Sequence, residues 1–98
     1  MRKEELLKAF QLMDELNDTV DSLSNLGVEV AETPLFNTAG CLFDMLIASN
    51  YTEEGQDWIN WWYFERDTHS GNKAYNDAGE EICRTFDELY EYVKKFER

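Results

Sequence analysis

Cysteine, proline and histidine are scarce: the chain of 98 residues has two cysteines, one proline and one histidine. Cys41 and Cys83 lack the spacing of a CxxC motif or a zinc site, which argues against a disulfide framework and for thiols in a reducing compartment. His69 lies in a segment of turn-forming residues with no predicted catalytic partner beside it. These scarcities disfavour nucleophilic catalysis and predict no metal and no other cofactor.

Long apolar runs are also missing, and none comes near the roughly 18 residues that a membrane-spanning helix needs. Arg2 and Lys3 lead into Glu4 and Glu5 rather than into the apolar stretch of a signal peptide. We therefore expect no membrane partner and a cytoplasmic location.

Basic residues are few, with nine Lys and Arg against 21 Asp and Glu, and the formal net charge is −12. The basic clusters, Arg2/Lys3 and Lys94–Arg98, lie at the two ends of the chain. A protein that binds nucleic acid directly needs a basic patch to contact the phosphates. The charge therefore predicts no direct contact with nucleic acid. The net charge of −12 is also larger in magnitude than the net charge of about 2–8 that suits a small soluble domain, so it requires an explanation.

The remaining composition supports one folded domain. Hydrophobic residues make up 43% of the chain and aromatic residues 14%, which suffices for one modest core at this length. No linker, internal repeat or low-complexity tract divides the sequence. We predict a single domain over residues 1–98 with an α+β fold, mainly helical, in which three to four helices accompany a minor antiparallel β-hairpin.

The N-terminal half predicts two helices. Apolar residues at intervals of three or four mark the first helix from Lys3 to Leu23, and Gly27 suits the left-handed conformation that ends a helix. Thr33 and Pro34 form a typical helix start, and the second helix should reach about Ser49. Its apolar residues cover more than one face, which indicates a central position in the fold.

The C-terminal half is less regular. Trp58–Glu65 is apolar at almost every position and fits both a helix and a strand. Thr52 followed by two acids favours a helix that begins there, whereas the aromatic density favours a strand, and we choose the helix. Ala74–Cys83 predicts a β-hairpin with its turn at Asn76–Gly79. A capping box at Thr85 opens a last helix.

The acids are unevenly distributed, and eleven of them fall in a block from Ala9 to Glu65 that has no Lys or Arg. On the first helix Asp14, Asp18 and Asp21 are spaced by four and three residues, so they form one outward stripe with charges roughly 5–6 Å apart along the axis. Like charges at this spacing repel each other by a few tenths of a kcal/mol per pair. The stripe is either a solubilising face or a surface that imitates the phosphates of a nucleic acid.

We favour the second interpretation and expect a non-enzymatic inhibitor or adaptor that binds the basic surface of a nucleic-acid-binding protein. Trp61 is expected to be exposed as an anchor, because a run of large aromatic residues cannot all face inward. The residues predicted to bind are Asp14, Asp18, Asp21, Glu53, Glu54, Asp57, Trp61, Glu65 and Asp67.

Two alternatives remain open. Over five residues, Glu53-Glu54-Gly-Gln-Asp57 resembles the acidic clusters with which small all-helical nucleotide pyrophosphohydrolases hold Mg²⁺. A second cluster for such an enzyme could come only from Glu80 and Glu81, which we place on the hairpin, and no basic run nearby could hold a triphosphate. The other alternative is a homodimer with the aromatic cluster at the subunit interface.

The C-terminal half also carries a broader resemblance. The order Asp57-Trp-Ile-x-Trp-Trp-x-x-Glu65, then Gly79-x-x-Ile-Cys83, then Glu88-Leu-Tyr-x-Tyr92 resembles small proteins encoded by bacteriophages and other bacterial mobile elements. The likeness runs from Asp57 to Val93, leaves the acidic first helix unmatched, and assigns no activity or functional residue. It implies a bacterial host, where the acidic surface looks similar in kind to anti-restriction and anti-CRISPR proteins, which block host nucleases by occupying their nucleic-acid sites.

Overall fold

A computed structural model of the chain describes residues 1–27, 34–68 and 71–98, and of residues 34–39 it describes the backbone. The described residues form five α-helices and no strand. A π-helix, Trp61–Glu65, continues the third helix, and a 3₁₀ turn, Lys94–Phe96, follows the fifth. The helices are α1 (Lys3–Asn25), α2 (Pro34–Asn50), α3 (Glu53–Asn60), α4 (Lys73–Ile82) and α5 (Phe86–Val93).

The chain divides into two compact units, Met1–Leu46 and Ile47–Arg98, and α2 has residues in both. The expectation of a single domain stays a prediction.

The first unit is organised by the apolar stripe of α1. Leu6, Ala9, Phe10 and Met13 are buried, at the spacing of three and four residues that places side chains on one face of a helix. From α2, Phe43 packs against Phe10 with ring centroids 6.0 Å apart. At the start of α1 the backbone N–H of Arg2 donates to Glu5 Oε1, which satisfies a group that a helix terminus leaves unpaired.

The second unit is organised by an aromatic cluster around Trp58. Its ring makes edge-on contacts with Trp61, Tyr75 and Tyr92 at centroid distances of 5.8, 4.6 and 5.1 Å. Such T-shaped contacts place the positive edge of one ring against the negative face of another. Because these rings come from α3, the π-helix, α4 and α5, the cluster joins most elements of this unit.

The C-terminus closes the second unit by pairing with the junction of α2 and α3. The backbone N–H of Thr52 donates to the Phe96 carbonyl at 2.8 Å, and that of Arg98 donates to the Asn50 carbonyl at 3.0 Å. Between these two bonds, Tyr51 and Glu97 form an isolated antiparallel bridge. The last residues therefore hold the start of α3 in place.

The predicted β-hairpin is wrong, and with it the α+β fold class, because Ala74–Cys83 lies almost entirely within the helix α4. Asn72 caps α4 by accepting the backbone N–H of Ala74 at 2.8 Å. Lys73 and Asp77, one turn apart, form an ion pair at 2.6 Å. The residues that were expected to form the turn lie in mid-helix, where Gly79 is buried against Trp61.

The other predicted helices are confirmed. α1 begins at Lys3 and is followed by Gly27 at φ +89°, and α2 ends one residue beyond the expected position. Thr52 is the N-cap residue of α3, and Trp58–Glu65 is helical, with a π-helix in its second part. α5 begins at Phe86, and the Thr85 side chain caps it by accepting a hydrogen bond from the backbone N–H of Glu88.

Three further expectations lie outside the described residues. They are the connector at Val28–Val30, the capping role of Thr33 and the turn at His69.

Replacing Gly79 with Ala tests the packing of α4. A Cβ at this position would overlap the Trp61 indole, and such overpacking typically costs about 1–3 kcal/mol. The better helix propensity of Ala returns about 1 kcal/mol. We expect Gly79→Ala to lower the free energy of unfolding by up to about 2 kcal/mol in urea titrations.

Gly40→Ala is the matched control, because Gly40 also lies within a helix but a Cβ there would have no atom within 4 Å. This variant should raise the free energy of unfolding by about 0.5–1 kcal/mol. A Gly79→Ala protein as stable as the Gly40→Ala protein would contradict the close contact between α4 and Trp61.

Candidate functional site

The acidic stripe of α1 lies on the solvent side of the first unit. Asp14, Asp18 and Asp21 are all exposed, and their positions are separated along the axis by about 6 and 4.5 Å. The buried stripe of the same helix fixes this orientation, because turning α1 to bury the acids would expose its apolar residues. The structure therefore brings together the three residues that spacing predicted, and exposed Glu15 extends the stripe.

Basic side chains of α1 are distant from the stripe. The helix contains Lys3 and Lys8, and Lys8 precedes Asp14 by six residues, about 9 Å along the axis. Side chains on one helix interact at separations of three and four residues. No Lys or Arg of α1 therefore stands three or four residues from Asp14, Asp18 or Asp21.

A second group of acids lies at the start of α3. Glu53, Glu54 and Asp57 are exposed, and the first two occupy the first turn, where the helix dipole favours negative charge. Glu53 and Glu54 therefore stabilise the start of α3 as well as presenting charge to solvent. Burial raises the pKa of the nearby Tyr75 phenol, and the negative charges of Asp57 and Glu54 raise this pKa further.

Glu65 and Asp67 are less available than the other predicted acids. Glu65 is half-buried, and a Cβ at Gly71 would overlap its carboxylate, so Gly71 packs closely on this side chain. Asp67 is exposed but accepts a hydrogen bond from Arg66 Nε at 3.2 Å. Glu65 is the last residue of the π-helix that continues α3, and Asp67 lies in the turn after it.

Trp61 is buried rather than exposed, so its predicted role as a surface anchor is wrong. Only 3% of the residue is accessible. Its ring packs on Gly79, and its Nε1–H donates to Asn76 Oδ1 at 2.6 Å. The separation of Asn76 and Gly79 by three residues, which places them on one face of a helix, was the signal for this contact in the sequence. The exposed aromatic residue of the segment is Phe64, at 48%.

The acidic residues that the enzyme alternative would use also lie on helices. Glu80 and Glu81, placed on the hairpin by the sequence, are exposed residues of α4. Among the described residues, no three His, Cys, Asp or Glu side chains form a group that could hold a metal ion. No observation on these residues favours the enzyme alternative.

Sequence reasoning missed an apolar groove in the first unit. The groove has a volume of about 270 Å³ and lies between α1 and α2. Large side chains that line it remain accessible, among them Leu42 at 59% and Leu12 at 51%. The signal was the apolar character of α2 over more than one face, which was interpreted as burial. The lining residues are Ala9, Leu12, Met13, Leu16, Leu42, Phe43 and Leu46.

The two cysteines have opposite environments. Cys41 is exposed on α2, whereas Cys83 is buried just after α4. Burial, and next the charge of Glu88, raises the pKa of the Cys83 thiol to about 11. The thiolate form is the reactive one, so Cys83 is inert in the folded protein.

Thiol labelling checks these environments. At pH 8 a thiol with a pKa of about 11 is ionised in roughly one molecule in a thousand. We expect a coloured disulfide reagent to modify Cys41 rapidly and Cys83 only after urea is added. In the Cys41→Ser control the rapid phase should disappear. Two equally fast phases in the native wild-type protein would show that Cys83 is accessible.

No helix within the described ranges combines the length and the apolar character needed to cross a bilayer. In comparisons with known proteins, no protein-family model, no curated protein and no solved structure matches the chain.

Proposed function

We propose that this chain is a non-enzymatic acidic protein that binds, and inhibits, a nucleic-acid-handling protein of a bacterial host. The acidic stripe of α1 occupies the basic surface on which that protein receives nucleic acid. The observation that carries this proposal is the exposure of Asp14, Asp18 and Asp21 on one helix face. The resemblance of the C-terminal half to proteins of mobile elements supplies the bacterial setting, in which the protein acts in the cytoplasm.

The spacing of the stripe supports an electrostatic mode of binding. A strand of B-DNA carries one negative charge per roughly 3.4 Å of helix axis, and the stripe carries one per roughly 5–6 Å. Its linear charge density is therefore more than half that of a strand. A rigid helix also presents its charges in a fixed arrangement, which favours steering and rapid capture of a basic partner.

The energetic cost of the stripe supports a role in binding as well. Acids at separations of three and four residues on a helix repel each other by a few tenths of a kcal/mol per pair. Lysines interspersed among them would turn this repulsion into attraction and would still keep the face soluble. A basic partner would supply the missing positive charges on binding.

The acids of α3 form a second candidate contact, whereas Trp61 has no part in the proposal. Glu53, Glu54 and Asp57 lie in the second unit and are assigned an independent, supplementary role. Since two of them also interact with the dipole of α3, their charge has a structural explanation that the α1 stripe lacks.

Charge reversal on α1 tests the proposal. The chain is used to capture proteins from a bacterial lysate at low salt, and the purified captured protein is then assayed for DNA binding with and without the chain. We expect competition with DNA, and an affinity that falls at least tenfold between about 0.05 and 0.2 M salt. In Asp18→Lys/Asp21→Lys, affinity should fall at least about tenfold, since like charges then face each other.

Glu80→Lys/Glu81→Lys is the matched control, because it changes the net charge by the same amount at exposed positions outside the stripe. Its affinity should stay within about twofold of the wild type once the long-range charge is screened. Equal losses in both double variants, or capture that salt does not weaken, would contradict binding through the stripe.

A further inference from the structure

The apolar face between α1 and α2 has no cover among the described residues of its unit. Leu42 at 59% and Leu12 at 51% are more than half exposed, and Leu46 at 38% lies beside them at the groove. A contiguous apolar surface on a small protein marks an interaction site or an aggregation hazard. A folded chain with this face therefore needs an occupant for it.

Charge is nearly absent from the α2 side of this face. Asp44 is the only charged residue of α2, and at 100° per residue it lies about 160° round the helix from Leu42. Exposed Leu42 belongs to the uncharged part of this surface, whereas Cys41 lies only about 60° from Asp44, on the charged side of the helix. A basic partner would gain no ion pair there.

On α1 the acidic stripe faces away from the groove. At 100° per residue Asp14, Asp18 and Asp21 lie about 120–180° round the helix from Leu12, which lines the groove. The charges that border the groove on this side have both signs: Arg2, Glu4, Glu5 and Lys8 line the adjoining pocket, and Glu15 lies about 60° from Leu12.

We propose that a second copy of this chain docks on this face, so that α1 and α2 of both copies form a four-helix bundle. Two molecules with a formal net charge of −12 repel each other wherever their acids meet. This face allows approach because its border carries basic as well as acidic side chains and the charge of α2, Asp44, lies on the far side of the helix from Leu42. In the dimer the acidic stripes lie on the outer surface, where they remain accessible to a basic partner.

The size of the face sets the strength of the dimer. A standard interface involves about 20–30 residues and about 800 Å² on each partner. The groove has seven lining residues, and the exposed positions next to it extend the face only modestly. The interface is therefore small, and we expect a dimer that dissociates in the micromolar range.

Sedimentation velocity tests the dimer with the full chain between about 1 and 500 μM. The wild type should shift from monomer to dimer over this range. In Leu42→Glu, a charge enters the apolar face at an exposed position, so the fold should persist and the dissociation constant should rise more than tenfold. Ile82→Glu is the matched control: Ile82 is 39% exposed on α4, and its replacement should leave the dimer unchanged.

A monomer at every concentration, or a dimer that Leu42→Glu leaves intact, would overturn the proposal. A monomeric wild type whose capture of a host protein is lost in Leu42→Glu would also overturn it, by assigning the face to a different protein.

The effect of salt on binding distinguishes this proposal from the proposed function. Added salt screens the repulsion between two acidic copies and should strengthen the dimer or leave it unchanged. The same salt should weaken the binding of a basic partner to the stripe. A failure of one proposal is therefore distinguishable from a failure of the other.

Discussion

The second unit depends on the contact between Trp61 and one face of α4. The indole ring needs the space that Gly79 leaves without a Cβ, and its Nε1–H needs the Asn76 side chain as acceptor. Both requirements are met only when residues 76 and 79 share a helix face. Once Trp61 is held there, its edge-on contact with Trp58 connects α4 to the rest of the aromatic cluster.

The second unit also uses most of the positive charge of the chain. Six of the nine Lys and Arg residues lie in this unit. Arg66 stacks on Trp62 at 3.9 Å and pairs with Asp67, Lys95 lies 4.0 Å from the Tyr92 ring centroid, and Arg98 donates to the Ala48 carbonyl. These side chains stabilise aromatic packing and the closing contacts of the C-terminus. On α1, by contrast, no Lys or Arg stands three or four residues from Asp14, Asp18 or Asp21, and the proposed function follows from this separation of charge.

Local signals predicted most of the helices. α1 follows from a sustained apolar period together with Gly27, α2 from Pro34 at its start, and α5 from the Thr85 cap. The hairpin prediction failed because Asn76–Gly79 has the composition of a turn, whereas in the fold these residues lie in a helix that Asn72 caps and that packs on a tryptophan 15 residues earlier than Asn76. The contact of Trp61 with Gly79 and Asn76 also buries the Trp61 ring. The apolar groove was missed because periodicity shows which residues are apolar but not whether a neighbouring element covers them.

The sequence by itself determined the charge, the block from Ala9 to Glu65 without Lys or Arg, and the outward position of the acidic stripe, because helix period and composition are local properties. Tertiary structure alone decided that Trp61 is buried against α4, and that Leu42 and Met45 remain exposed on a folded unit. These outcomes depend on contacts between residues that are distant in the chain. No local pattern encodes whether such a contact forms, since its free energy comes from the surface that both partners remove from water.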